Sequence, residues 1–283
     1  MALTEKNAIF LGSSDNYDIC KHVIVGAPMD YTVSFRPGTR GGPQAIRMVS
    51  AGLEEYSVYQ DKDLTDYNYY DLGDIILPFG NVHESLRRIE ETADEILEHG
   101  KFPLFLGGEH LISLPVIKAM AKKYPDLAIL HFDAHADLRQ EFVGEQNSHA
   151  TVMRYASELL GDKRLYQFGI RSGVKDEMEY AKIHTNLYLD QVLEPLAQVI
   201  AEWDDRPVYI SIDIDVVDPA FAPGTGTPEP GGCTSKELIK ALLMMSKLPV
   251  VGMDIVEVLP MVDQSQRTAI LAAKLVREAI LAF

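Results

Sequence analysis

Between charged, helix-like stretches the chain carries apolar runs of strand length: "HVIVGAP" from His22, "KFPLFLGG" ending at Gly108, "LAILHFDAH" from Leu127, "RLYQFGIRS" from Arg164, "PVYISIDID" from Pro207 and "PVVGMDIVEV" from Pro249. Strands that are apolar almost throughout, rather than at every second residue, must be covered on both faces. The intervening segments read as helices: Glu84 to His99, "LISLPVIKAMAKKY", a stretch beginning near Thr151, "SKELIKALLMMSK" and the closing "SQRTAILAAKLVREAIL". Pro115 is tolerable in the second of these because it falls in the first turns. Strand and helix in alternation predict an α/β fold with a mostly parallel sheet and helices on both sides. Periodicity alone also permits a barrel. Each run stops at a polar or glycine-rich loop, where open α/β sheets usually hold their ligands. No composition break or long linker divides the chain, so we expect one domain over residues 1–283, with residues 1–21 as an N-terminal extension.

Composition narrows the function classes. With 26 Lys plus Arg against 42 Asp plus Glu, the formal charge is −16. No basic block stands out, so nucleic acid is not an expected partner. A small cationic substrate suits the balance, as does simple solubility. Cys20 and Cys233 are too few for a disulfide framework or a thiolate zinc site. No apolar run approaches the roughly 20 residues that span a bilayer, and the N-terminus lacks a signal-peptide pattern. A soluble, cytoplasmic protein without a membrane partner is the expectation.

The chemistry gathers at strand ends. "GGEH" supplies His110, "DAHAD" supplies Asp133, His135 and Asp137, and "SIDIDVVDP" supplies Asp213, Asp215 and Asp218. Asp and His are costly continuations of buried strands unless they are paired, hydrogen-bonded or bound to metal. While a strand stays extended, Asp133, His135 and Asp137 share one face, and so do Asp213 and Asp215. A parallel sheet could bring the three segments to one edge. His110, Asp133, His135, Asp137, Asp213 and Asp215 then suit a two-metal centre, whose four carboxylates offset two divalent cations. Their oxygen-rich, imidazole-containing set favours manganese over a thiolate-type zinc site, without excluding zinc or cobalt. The alternative is a set of hydrogen-bonded strand-end caps. His131 reads as a packing or supporting residue, and Asp218, before Pro219, as a loop organiser.

With "FRPGTRGGPQAIR", "GGEH", "HFDAHAD", "SIDIDVVDPAFAPGTGTPEPGG" and "GMDIVEVLP" in this order, the sequence resembles the ureohydrolases, the arginase and agmatinase family, and its agmatinase branch most. The resemblance runs from about His22 to the final helix. It implies a single three-layer α/β/α domain with a mainly parallel central sheet, assembled as a homotrimer or homohexamer. It implies two Mn2+ per subunit, one on His110, Asp133, Asp137 and Asp213, the other on Asp133, His135, Asp213 and Asp215. It also implies three catalytic residues: Asp137 as a proton relay, His149 of "NSHAT" as a proton carrier, and Glu257 as partner of a substrate guanidinium. Glu109 stands where the family's element carries Asp, which predicts altered surroundings for the neighbouring ligand rather than loss of metal. "FRPGTRGG" could bind an anion through Arg36 or Arg40, though in this family it is a structural or loop-positioning element.

The expected reaction is hydrolysis of agmatine to putrescine and urea, a step in polyamine biosynthesis. Arginase and guanidinobutyrase, acting on other guanidino compounds, are the nearest alternatives. Arg139 occupies the position of the Asn with which arginases read the amino-acid end, and this disfavours arginine. A metal-binding scaffold or regulatory protein is the non-enzymatic alternative, and a metal-dependent deacetylase a further enzymatic one.

Overall fold

A computed structural model describes residues 3–283. Its strands are β1 (Thr4–Glu5), β2 (His22–Ala27), β3 (Tyr56–Ser57), β4 (Lys62–Asp63), β5 (Tyr69–Ile75), β6 (Phe102–Gly107), β7 (Ala128–Phe132), β8 (Leu165–Ile170), β9 (Asn186–Leu189), β10 (Val208–Asp213) and β11 (Val250–Val256). Its α-helices are α1 (Gly42–Ser50), α2 (Val82–Glu98), α3 (Ser113–Lys123), α4 (Val152–Leu160), α5 (Lys175–His184), α6 (Leu193–Ala201), α7 (Ser235–Met244) and α8 (Arg267–Ala282). Nine strands form one sheet in the order β1-β5-β2-β6-β11-β10-β7-β8-β9, and β3 and β4 form a separate pair. Within the large sheet only the edge strand β1 runs antiparallel to its neighbour.

Strand alternation divides the apolar residues between two cores. Ile24, Leu104, Leu106, Leu130, Ile210 and Ile255 face one side and meet residues of α1, α6, α7 and α8. Val23, Val25, Phe105, Ile129 and Tyr209 face the other and meet α2, α3 and α4. The result is three layers, with a parallel sheet buried on both faces as its apolar runs require. Leu130 and Ile210 are fully buried, and truncating either to Ala should cost about 2–5 kcal/mol.

Order in the sheet positions the site. The chain builds β2 and β5 outward to one side and β7, β8 and β9 outward to the other. It then returns to insert β10 and β11 between β6 and β7. The four central strands β6, β11, β10 and β7 are therefore adjacent, and their carboxyl ends open where the strand order reverses.

The apolar-run strands and the helices expected from sequence are all present, with ends shifted by a few residues. Others gave no such signal. β5, "YYDLGDI", is interrupted by Asp71, Gly73 and Asp74; both carboxylates are accommodated by Arg47 of α1. Within the expected N-terminal extension, Thr4–Glu5 pairs with β5 and Phe10 is fully buried, so this segment completes the sheet edge. Residues 1 and 2 of that extension lie outside the described residues. Among the described residues no helix is long and apolar enough to cross a membrane.

Candidate metal and substrate site

Four neighbouring strand ends supply the polar cluster. His110 opens a short 3-10 turn after β6, Asp133 follows β7 directly, Asp213 ends β10, and Glu257 follows β11. The strands do not stay extended through the ligands, as simple alternation had required. Asp133 Oδ1 accepts the His135 N–H at 2.5 Å, and Asp213 Oδ1 accepts the Asp215 N–H at 2.9 Å. Asp215 lies in a 3-10 turn, and Asp137 adopts φ 52°. Convergence thus comes from two tight turns at the strand ends. Glu257 also has a left-handed backbone, φ 63°. Such conformations are uncommon outside glycine and cluster at functional sites. The Asp137 carbonyl accepts from the N–H groups of Met153 and Arg154, both at 3.0 Å, so the first turn of α4 holds that unusual residue in place.

The ligand atoms are close. His110 Nδ1 lies 3.1 Å from Asp133 Oδ2, 3.1 Å from Asp137 Oδ2 and 3.4 Å from Asp213 Oδ2. His135 Nδ1 lies 2.9 Å from Asp215 Oδ2 and 3.6 Å from Asp133 Oδ1. All six predicted ligands therefore meet in one cluster.

Two observations test whether the cluster fits metal. Ser211 Oγ donates to Asp254 Oδ1 at 2.8 Å, so it accepts from His110 Nε2 at 3.0 Å. In the neutral ring Nδ1 is then a lone pair facing three carboxylates, and it is buried without a hydrogen-bond partner. Asp215 Oδ2 is buried and makes no hydrogen bond either, although His135 Nδ1 lies 2.9 Å away. Lone pairs turned toward carboxylates repel unless a cation lies among them. The residues fit metal ions.

Electrostatics agree. Burial pushes Asp213 well above the usual carboxylate range, with Asp215 and Asp133 adding to the effect. Burial and Asp133 raise Asp215. Burial would raise Asp133 too, but His131, His110 and His135 outweigh it and hold the group well below that range. Burial opposes charge on His110, yet Asp133, Asp137 and Asp213 raise it well above its ordinary value. The cluster attracts positive charge, as protons or as cations.

His131 supports the ligands. Gln167 Nε2 donates to His131 Nδ1 at 3.1 Å and to the Ala136 carbonyl at 2.8 Å, which leaves His131 Nε2 to donate to Asp133 Oδ2 at 2.8 Å. This pairing orients a ligating carboxylate. Asp218 accepts the N–H groups of Ala220 and Gly231, organising its loop as expected. Arg40 folds back on Asp30, so it braces its own loop.

A cavity of about 300 Å³ opens over the cluster, lined by His110, His135, Asp137, Asp213, His149 and Glu257. Glu257 is 5% exposed, and its Oε1 accepts the His110 N–H at 2.8 Å. Burial holds its carboxyl well above the ordinary range, as suits a group waiting for a cationic partner. His149 begins the 3-10 turn leading into α4, and burial lowers its pKa, so the free imidazole is neutral at pH 7. Arg139, Phe142 and Glu177 line the same cavity.

Sequence reasoning had overlooked several supporting residues. Arg171 donates to the carbonyls of Asp215, Val216 and Glu229, tying the Pro/Gly-rich loop to the ligand turn. Its position directly after β8, at a strand's carboxyl end, was the available signal. Glu177 is 4% exposed and accepts the N–H groups of Leu138 and Val174. No motif marked it.

Fold, strand-end cluster and cavity together define a metal hydrolase of ureohydrolase type, and the chain belongs to the arginase family, whose model matches residues 20–282. It is 55% identical over 280 residues to the agmatinase of Bacillus subtilis, covering 97% of this chain and 96% of the relative. It is 37% identical to the guanidinobutyrase of Pseudomonas aeruginosa, covering 93% and 86%. The crystal structure of the agmatine ureohydrolase of Thermoplasma volcanium superposes with a TM-score of 0.89 at 33% identity, covering all of this chain and 94% of that one.

Proposed function

We propose that the protein hydrolyses agmatine to putrescine and urea with two manganese ions per subunit. One ion is assigned to His110, Asp133, Asp137 and Asp213 and the other to Asp133, His135, Asp213 and Asp215, so that Asp133 and Asp213 are shared. When bound, such a pair supplies Lewis acidity and an activated water for attack on the guanidinium carbon.

The chain's own residues orient the substrate and move its protons. The Glu257 carboxylate accepts hydrogen bonds from the guanidinium, a pairing that fixes a planar cation well. Asp137 passes a proton while it serves as ligand. His149, neutral before the reaction, takes up a proton and delivers it to the amine as the carbon–nitrogen bond breaks. The tail of the substrate meets a wall where Arg139 Nε lies 3.8 Å from Glu177 Oε2. That pairing offsets the guanidinium charge, so the wall offers little to a substrate carboxylate and accommodates an amine.

One observation carries the substrate assignment: 55% identity along nearly the whole of an agmatinase. Urea release by manganese-reconstituted protein tests it, with agmatine, arginine and 4-guanidinobutyrate at equal concentration beside metal-free controls. Strong release from agmatine is expected; preference for either carboxylate-bearing compound would overturn the substrate. A homotrimer or homohexamer in the cytoplasm completes the reading, with sedimentation velocity as the test of assembly.

A further inference from the structure

His149 meets the loop after β2 at a single side-chain atom. Thr32 Oγ1 accepts the His149 backbone N–H at 3.0 Å and lies 3.3 Å from His149 Nδ1. The same hydroxyl donates to Glu109 Oε2 at 2.6 Å, an oxygen that also accepts the Thr32 N–H at 2.8 Å. Glu109 Oε1 accepts the Tyr31 N–H at 3.1 Å. Glu109 is fully buried. The two loops close tightly here, since a Cβ on Gly108 would sit 1.8 Å from the Met29 carbonyl oxygen.

A hydroxyl has one hydrogen to give. With that hydrogen committed to Glu109, Thr32 Oγ1 faces His149 with lone pairs alone. Ser148 Oγ, also 3.3 Å from Nδ1, accepts the Ala150 N–H and can meet either tautomer, so the choice falls to Thr32. An attractive contact with Thr32 therefore needs the hydrogen on Nδ1, which makes Nε2 the lone-pair nitrogen of the neutral ring. The opposite tautomer would turn a lone pair toward Thr32 and leave Nε2 unable to accept a proton. Which nitrogen of a histidine carries the proton is set by the bond made at the other.

We propose that Glu109 and Thr32 are positioning residues that lock His149 in its Nδ1–H tautomer and keep Nε2 as the proton-accepting atom for the reaction in the cavity. This rests on the reading of His149 as proton carrier. It also accounts for Glu109, whose side chain reaches the Thr32 hydroxyl, away from the ligand cluster.

The test compares Thr32→Val, which keeps shape and loses the hydroxyl, with Thr32→Ser, which restores it. Two readouts are taken: urea release by manganese-loaded enzyme, and nitrogen-15 NMR of labelled histidines in metal-free protein, with the His149 signal assigned from H149N. T32V should lose the Nδ1–H signature and lower kcat by about tenfold or more while KM stays within about twofold. T32S should recover both. A T32V enzyme with wild-type kcat and wild-type tautomer would overturn the proposal. So would T32S as slow as T32V, since the loss would then belong to loop packing. H149N separates this from the reading beneath it: wild-type turnover there removes the proton carrier itself, whereas a slow H149N beside a fast T32V removes only the positioning.

Discussion

Two groups of carboxylates turned toward the interior of this molecule solve the same problem differently. Asp71 and Asp74, on β5, are met by Arg47, whose guanidinium takes Asp71 through Nε at 2.8 Å and Nη2 at 3.0 Å and also bonds Asp74. The cation is built into the chain. Asp133, Asp213 and Asp215 are about as buried as Asp71, yet only imidazoles stand among them, and two of the cluster's ligand atoms make no hydrogen bond. A buried charge needs a counterion, and here the imidazoles supply one only by holding protons that a metal ion can displace, so the cluster is shaped to exchange them for cations from solution. The first arrangement holds the sheet edge to α1; the second holds chemistry.

Mutations should separate the two most sharply. Asp133→Ala or Asp213→Ala should nearly abolish urea release and lower the metal content of dialysed protein. Arg47→Met should instead destabilise the fold by about 3–5 kcal/mol, because it strands buried carboxylates, while the folded fraction still binds metal. Metal analysis beside urea denaturation distinguishes them, and full activity in metal-washed D133A would break the comparison. Next in size, H149A should retain both ions but lower kcat by about a hundredfold or more. Unchanged turnover would reduce His149 to a structural residue.

The pH response should also differ. Asp213 binds its proton more tightly when folded without metal than when unfolded. Its contribution to metal-free stability is therefore fully present at low pH and is lost as pH rises through the elevated folded value. Metal must displace such protons, so its binding strengthens with pH. The melting-temperature gap between manganese-loaded and metal-free protein should widen between about pH 5 and about pH 8. A gap that narrows would contradict a cluster built for cations. Smallest is the expected effect of Glu177→Gln, which leaves Arg139 less offset. The ratio of kcat/KM for 4-guanidinobutyrate over agmatine should rise several-fold, on the order of 1 kcal/mol. A fixed ratio would show that this pair does not read the tail.

Much of this was legible in the sequence because burial on both faces leaves a plain mark. The runs beginning at Lys101, Leu127 and Pro207 could hardly be anything but interior strands, and the polar residues at their ends stood out against that background. β5 was not legible because Asp71 and Asp74 break its apolar pattern, and their partner Arg47 lies far back in the chain. The ligand residues were recoverable, but not the way they meet. Alternation predicted a shared strand face, whereas short turns and the left-handed Asp137 and Glu257 bring the groups together. Thr32, Arg171 and Glu177 were hidden for a different reason. Each acts through contacts between loops, and no local spacing encodes those.

The most direct test of the central claim is anomalous diffraction at the manganese edge from crystals of manganese-reconstituted protein. Two peaks are expected, one among His110, Asp133, Asp137 and Asp213 and one among Asp133, His135, Asp213 and Asp215. A cluster without manganese, or with a single ion and Asp215 turned away from it, would contradict the account.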